Sequence, residues 1–194
     1  YWRRVDWYNG GMEHTARHLL YARFWVQMLH NFGLVPNSEM IWTRVSHGMV
    51  LGPNNEKMSK SKGNVINPDD IVNEFGADTL RIYELFMGDY TMDAAWSTDS
   101  LKGCRRFLDR IIRLANKIND SNGYTDEVLA NKTIKKVTND LSNLKYNTAV
   151  STLMIMLNEY EKYENGVTKD DYRLLLTLLN PIAPHSTEEL NEIH

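Results

Sequence analysis

Residues 5–25, VDWYNGGMEHTARHLLYARFW, set a short run of large apolar residues (Val5 to Asn9) against Gly10-Gly11 and then a helical pattern. From about Met12 to Phe32, Leu19, Leu20, Phe24, Met28 and Leu29 recur at spacings of three and four, which predicts a helix with one buried face. Gly33 and Pro36 end it. Strand, double glycine, helix is the layout of an α/β nucleotide-binding unit, in which glycine lets a ligand approach the backbone.

Further along, Ile41 to Val45 and Gly48 to Leu51 read as short strands. Gly52-Pro53-Asn54-Asn55, all turn formers, lead into KMSKSKGN, Lys57 to Asn64. Lys57, Lys60 and Lys62 with the hydroxyls of Ser59 and Ser61 make a dense set of cations and hydrogen-bond donors, chemistry that suits a polyphosphate. It is not a G-x-x-x-x-G-K-[ST] loop, and from composition a solvated lysine loop or a localisation signal is the stronger reading. Pro68 opens a helix after Asn67, with Asp69 and Asp70 in its first turn and Gly76 at its end. Asp78 is placed to cap a second helix, Thr79 to Met87, closed by Gly88. From Ser100 no strand pattern survives. Helices are expected over about 100–120, 126–145, 147–164 and 169–180, and again from Ser186, where Glu189 has capping-box spacing. Ala130, Ile134, Val137, Leu141 and Leu144 alternate as in an antiparallel bundle. The expected fold is an α/β piece followed by an α-helical bundle, with the boundary near residue 98.

Composition bounds the possibilities. The 194 residues are 42% apolar and 24% charged with a net charge of −3, so a nucleic-acid partner must be met by a local basic patch. Cys104 is the single cysteine, which excludes an internal disulfide and fits a reducing compartment. No run of eighteen apolar residues and no secretory signal is present. Tyr1 at the start and a helical pattern running into the end read as a piece of something longer.

One local patch departs from the acidic balance. Lys102, Arg106, Arg110, Arg113 and Lys117 form a stripe on one helix face, opposite Cys104, Phe107, Leu108, Ile111 and Leu114. With Arg105, six positive residues meet one acid, Asp109, for a local +5. Such a face is a footprint for nucleic acid or an ordinary solvated helix face, and the pattern alone weighs the two evenly. His14 and His18 also share a helix face, beside Glu13. The glutamate does not lie between them as in H-E-x-x-H, and no third ligand is evident, so no metal site is assigned. A hydrogen-bonded core pair is the ordinary alternative. Trp96 is expected to pack between the two parts of the chain.

KMSKS, intact at Lys57-Met58-Ser59-Lys60-Ser61, is similar to the second signature of class I aminoacyl-tRNA synthetases. Its flanks, HGMVLG and GNVINPDDIVNEFGADTLRIYELFMGD, resemble the leucyl-tRNA synthetases, as do VDWYNGGMEHTARHLLYARFW, AWSTDSLKGCRRFLDRI and NPIAPHSTEELNE. The resemblance covers nearly the whole chain. It implies the second half of a Rossmann-like nucleotide-binding domain with the lysine loop (1–66), connecting helices (67–98) and a bundle of the tRNA anticodon-binding type (99–194). It implies that ATP, as its magnesium complex, is held by Gly10, Gly11, Glu13, His14, Gly48, Met49, Val50, Lys57, Ser59, Lys60 and Ser61. Lys60, supported by Lys57, takes the catalytic part of stabilising departing pyrophosphate, and His18 borders the leucine pocket. His47 stands where the family usually has Gln, which leaves only backbone contacts to adenine at that residue. The stripe at Lys102, Arg106, Arg110, Arg113 and Lys117 implies contact with the backbone of tRNA(Leu). A cytoplasmic, monomeric enzyme off the membrane is the implied setting. The first class signature, a His-Ile-Gly-His-like tetrapeptide, is absent, so these residues alone are expected to be inactive. Two rivals stay open: an isoleucyl, valyl or methionyl enzyme, against which GGMEH argues, and a non-catalytic tRNA-binding module.

Overall fold

The structure is a computed structural model that describes residues 4–193. The chain divides into two compact units: residues up to Val50 with Thr91–Ala94, and Leu51–Tyr90 with the chain from Ala95 onward. The sequence-based division falls at 66 and 98, whereas the compact units divide at 50/51, 90/91 and 94/95.

In the first unit, β1 (Val5–Gly11) runs into α1 (His18–Asn31), which returns to β2 (Ile41–His47). The strands are parallel, in register from Val5 opposite Ile41 to Gly11 opposite His47. This is the strand–helix–strand unit expected, with two corrections. The α-helix begins at His18, not near Met12. Met12–Thr15 forms a 3₁₀ turn, and Arg17 breaks the helical path at φ −99°, ψ −95°. The tighter turn carries the chain over the end of β1 before the helix axis can turn back along the sheet. The expected buried face of α1 is also mostly bare. Leu19 is buried, but Leu20 and Phe24 are 61% and 65% exposed, because a two-stranded sheet covers only one flank of a helix. Arg23 and Gln27 both reach Glu39 ahead of β2, tying the helix to the returning chain.

The second unit starts in β3 (Val50–Leu51), and an antiparallel bridge from Leu51 to Lys57 closes a tight turn. α2 (Pro68–Phe75) follows, its first turn capped as expected by Asn67, whose side chain accepts from the Asp69 N–H. Gly76, at φ +88°, joins α2 to α3 (Ala77–Phe86). Asp78 does not cap α3: it lies inside the first turn, buried, and serves another helix described below. β4 (Ala94–Ala95) leads to α4 (Thr98–Leu114), capped by Ser97. A 3₁₀ turn and β5 (Ile118–Asn119) precede α5 (Glu127–Ser142) and α6 (Tyr146–Tyr160). β6 (Val167–Thr168) leads directly into α7 (Lys169–Leu179), and α8 (Pro184–Ile193) ends the described chain.

The bundle contains a pairing that the sequence reading lacked, since β5 and β6 are parallel partners. Two-residue strands carry no periodicity to detect. Gly166 marks the junction: a methyl group there would meet the Lys117 carbonyl oxygen at 1.9 Å. The capping box is also elsewhere than expected. Ser186 lies inside α8, while Thr168 and Asp171 form the reciprocal cap of α7. The core of the second unit gathers the inner faces of α3 to α8, including Tyr83, Leu101, Ile111, Leu153, Tyr172 and Leu179. Trp96 is buried in it, edge-on to Tyr83 at 4.8 Å between ring centroids.

Candidate functional site

Gly10 and Gly11 end β1, and their small size decides what surrounds them. A methyl group at Gly10 would press on the Tyr8 ring at 3.2 Å. At Gly11 it would sit 2.3 Å from a Glu13 carboxylate oxygen, so the absent side chain lets Glu13 fold back over the end of the strand. His14 follows in the 3₁₀ turn, and its Nδ1 is buried without a hydrogen-bond partner among the described residues. On β2 the Arg44 Nε is in the same state, while Nη2 reaches the Gly11 carbonyl at 3.4 Å. Two buried donor or acceptor atoms left open beside a glycine turn leave it incomplete in hydrogen bonding, as a ligand-binding turn is before it is filled.

His18 opens α1 on the exposed side of the helix. Its Nδ1 lies 2.9 Å from the Tyr8 hydroxyl, and the two rings stack with centroids 5.6 Å apart. The histidine pair of the sequence is thus not a mutual pair: His18 is oriented by Tyr8. The sequence reading missed Tyr8, although its place on the strand two residues before Gly10 was available. His47 closes β2 with its Nδ1 2.8 Å from the Gly48 carbonyl. Gly48 lies so near the Met92 carbonyl that a methyl group would approach to 1.9 Å. Met49 is held at both ends, its N–H donating to Asp93 at 2.7 Å and its carbonyl accepting from Ala94 at 3.1 Å.

The lysine loop belongs to the second unit. Its base is the turn Gly52–Glu56, where the Gly52 N–H donates to Glu56 at 2.8 Å and Asn55 takes φ +62°. Lys60–Lys62 form a 3₁₀ turn closed by Gly63 in the left-handed region, φ +62°. Asn64 staples the two limbs, accepting from the Ser59 N–H at 2.8 Å and donating to the Lys57 carbonyl at 3.4 Å. Asn64 also went unnoticed in the sequence, although its amide is the kind of side chain that bridges two strands of backbone. The Ser59 and Ser61 hydroxyls lie 3.2 Å apart, so each has capacity left for an outside partner. The three lysines are not equivalent. Lys62 pairs with Glu56 at 3.1 Å, whereas Lys57 and Lys60 are exposed and make no ion pair among the described residues.

α4 carries Lys102, Arg106, Arg110 and Arg113 of the basic stripe, over a core side formed by Leu101, Cys104, Phe107, Leu108, Ile111 and Leu114. Lys117 lies past its end in a 3₁₀ turn, because the helix stops at Leu114 and not near residue 120. Lys102, Arg106, Arg113 and Lys117 are exposed. Arg110 is not available in the same way: its Nε and Nη2 grip both Glu161 oxygens at 3.0 and 2.6 Å, and Nη2 also meets Asn158. The hydrogen bonds from Arg110, and then its charge, hold the Glu161 carboxyl below the usual carboxylate range. Arg105 turns away from the stripe toward Asp109, at 2.9 Å, and the Phe75 carbonyl, at 3.2 Å. Among the described residues no three His, Cys, Asp or Glu side chains gather as a metal site, and no helix is long and apolar enough to cross a membrane.

Comparison with known proteins gives these two groups a common context. The family of class I tRNA synthetases (I, L, M and V) matches residues 17–97, and the anticodon-binding domain of tRNA ligases matches 128–194. A leucine–tRNA ligase of Alkaliphilus oremlandii is 60% identical across 100% of this chain, which spans 24% of that protein. A leucyl-tRNA synthetase of Agrobacterium radiobacter, solved as a ternary complex with tRNA and LeuAMS, superposes with a TM-score of 0.83 at 32% identity, over 97% of this chain and 27% of that one. The methionyl-tRNA synthetase of Mycobacterium tuberculosis, at 18% identity and a TM-score of 0.72 over 96% of this chain and 43% of its own, shares the fold. With KMSKS and GGMEH set on these elements, the chain belongs to the leucyl-tRNA synthetase family of the class I aminoacyl-tRNA synthetases.

Proposed function

We propose that the protein of which these residues form about a quarter, by comparison with its relative, activates leucine with ATP and transfers it to tRNA(Leu). In the first step a leucine carboxylate oxygen attacks the α-phosphorus of magnesium-bound ATP. The α–β bridging bond breaks, and pyrophosphate leaves with the electron pair. In the second, a terminal ribose hydroxyl of the tRNA attacks the leucyl carbonyl and AMP departs. The carrying observation is the division of labour in the lysine loop. Lys62 is neutralised by Glu56, while Lys57 and Lys60 present unpaired ammonium groups beside two hydroxyls. Charge placed where a leaving group gains it stabilises the transition state more than the ground state.

The other residues fall into roles their settings support. Gly10 and Gly11 admit the nucleotide, Glu13 accepts from its ribose hydroxyls, and His14 brings an open ring nitrogen to it. Gly48, Met49 and Val50 take adenine along the backbone. His18, oriented by Tyr8, borders the leucine side chain. Lys102, Arg106, Arg113 and Lys117 contact tRNA phosphates, with Arg110 serving mainly to hold α4 to Glu161. The working setting is the cytoplasm, as a monomer off the membrane. The 194 residues by themselves form no adenylate, because the first class signature lies outside them.

Amino-acid-dependent ATP–pyrophosphate exchange by the whole protein tests this. Leucine is expected to drive exchange, and Lys60→Ala to lower kcat by about 10²–10³-fold, the usual cost of one transition-state donor. Exchange driven by another aliphatic amino acid would keep the class and overturn the role of His18. No exchange with any amino acid, alongside salt-sensitive tRNA binding unaffected by Lys60→Ala, would leave a non-catalytic tRNA-binding module.

A further inference from the structure

The helices that follow the lysine loop are fastened unequally. α3 is tied to the corner between α7 and α8 by two opposite charges one turn apart. Asp78 accepts from the Ser186 N–H at 2.6 Å and lies 2.9 Å from the His185 Nδ1, at the start of α8. Arg81 donates to the carbonyls of Ile182 and Pro181, at 2.8 and 3.0 Å, in the turn between α7 and α8. An anion thus meets the open amides at the start of α8, and a cation the carbonyls of the turn that leads into it. α3 is part of the bundle.

α2 is not fastened this way. It joins α3 through Gly76, whose φ of +88° and ψ of 151° belong to a conformation that L side chains rarely adopt. It carries the lysine loop on its N-terminal side through the short segment Asn64–Asn67, stapled by Asn64 and capped by Asn67. Its last carbonyl, that of Phe75, stands immediately before the glycine and accepts two bonds. One comes from Thr79 of α3 at 2.8 Å, and the other from Arg105 of α4 at 3.2 Å. Arg105 is itself braced by Asp109 a turn further along α4. An open pocket of about 180 Å³, lined by Phe75, Gly76, Arg105, Leu108 and His185, flanks the joint, while Ile71 and Phe75 rest partly buried against the core.

We propose that Arg105 is a positioning residue for the lysine loop: bridging from α4 across the Gly76 joint, it fixes the angle at which α2 presents Lys57 and Lys60. Its sequence neighbours on the stripe face outward, but its own guanidinium is spent on the helix that bears the loop. It connects the proposed RNA-contacting helix to the proposed catalytic loop without touching either substrate. The inference rests on the function proposed above, and its test separates the two.

In the whole protein, Arg105→Met keeps the apolar stem and removes the donors, while Arg105→Lys restores one. Two readouts are taken, leucine-dependent exchange and backbone hydrogen exchange. The Met variant is expected to lose about tenfold in kcat with an unchanged leucine KM, and the Lys variant to recover part of it. Amides of 57–75 are expected to exchange faster in the Met variant, while those of α5 and α6 keep their protection. Unchanged kcat and unchanged protection over 57–75 in Arg105→Met would overturn the inference, as would protection lost evenly through the bundle. If the unsubstituted protein shows no exchange, the proposed function fails, and hydrogen exchange at 57–75 still decides whether Arg105 holds the joint.

Discussion

Gly11 and Gly48 both stand near a strand end, yet a methyl group at each would meet different neighbours. At Gly48 it would run into the Met92 carbonyl, backbone that cannot move without dragging the segment that leads into β4. At Gly11 it would meet only the flexible end of Glu13. Gly48→Ala is therefore expected to cost on the order of 1–3 kcal/mol in denaturant unfolding. Gly11→Ala is expected to cost little stability but, on the proposed function, to raise the ATP KM of the whole protein, because Glu13 must leave the turn. Equal stability losses for the two variants would contradict this account. Tyr8 supplies a third residue-scale test. Tyr8→Phe keeps the ring stacked on His18 and removes one hydroxyl, so a rise in leucine KM of up to about tenfold is expected, with kcat little changed. An unchanged KM would show that the Tyr8–His18 bond does not shape the pocket.

Among the elements, helix ends show how far the sequence could be read. Asn67 and Ser97 cap the helices that follow them, and such caps are legible because donor and acceptor are neighbours in sequence. Asp78 looked like another of these. It serves α8, more than a hundred positions away, and no local pattern announces a cap supplied from so far along the chain. Burial acts to raise the Asp78 carboxyl, but the Ser186 N–H and His185 outweigh it and hold the group below the usual carboxylate range. A depressed carboxylate contributes stability above its unfolded-state value, about 3.9 for Asp, and loses it as pH falls through the folded value. The bundle is therefore expected to lose stability on acidification below about pH 4, and Asp78→Asn to be destabilised at neutral pH with a flatter acid limb. An Asn variant with an unchanged acid limb would remove Asp78 as the source. The lysine loop stands out in the sequence as a dense cluster of cations and hydroxyls, but its inner pairing does not. Which lysine is neutralised depends on a turn that folds Glu56 back upon Lys62.

Over the whole molecule the two units differ in how completely they are covered. The bundle buries Tyr83, Tyr160 and Tyr172 almost fully, whereas the α/β unit leaves Phe24 65% and Trp42 72% exposed. Its two strands also keep their outer edges unpaired among the described residues. The periodicity of α1 predicts a buried face that the structure leaves mostly bare, because burial needs a surface to pack against and two strands supply too little. The isolated 194 residues are accordingly expected to unfold in two steps, with amides of β1 and β2 exchanging well before those of α6. A single cooperative transition, with the amides of β1, β2 and α6 exchanging together, would count against that. The grip of Arg110 on Glu161 has a consequence for spacing. With the middle cation withdrawn, an evenly spaced row becomes two pairs, Lys102 with Arg106 and Arg113 with Lys117. At a rise of about 1.5 Å per residue the inner members stand roughly 10 Å apart, farther than neighbouring phosphates on one strand. The face is graduated like a gauge with one mark missing, so the proposed RNA contact would suit phosphates that arrive in two clusters, such as the two sides of a groove.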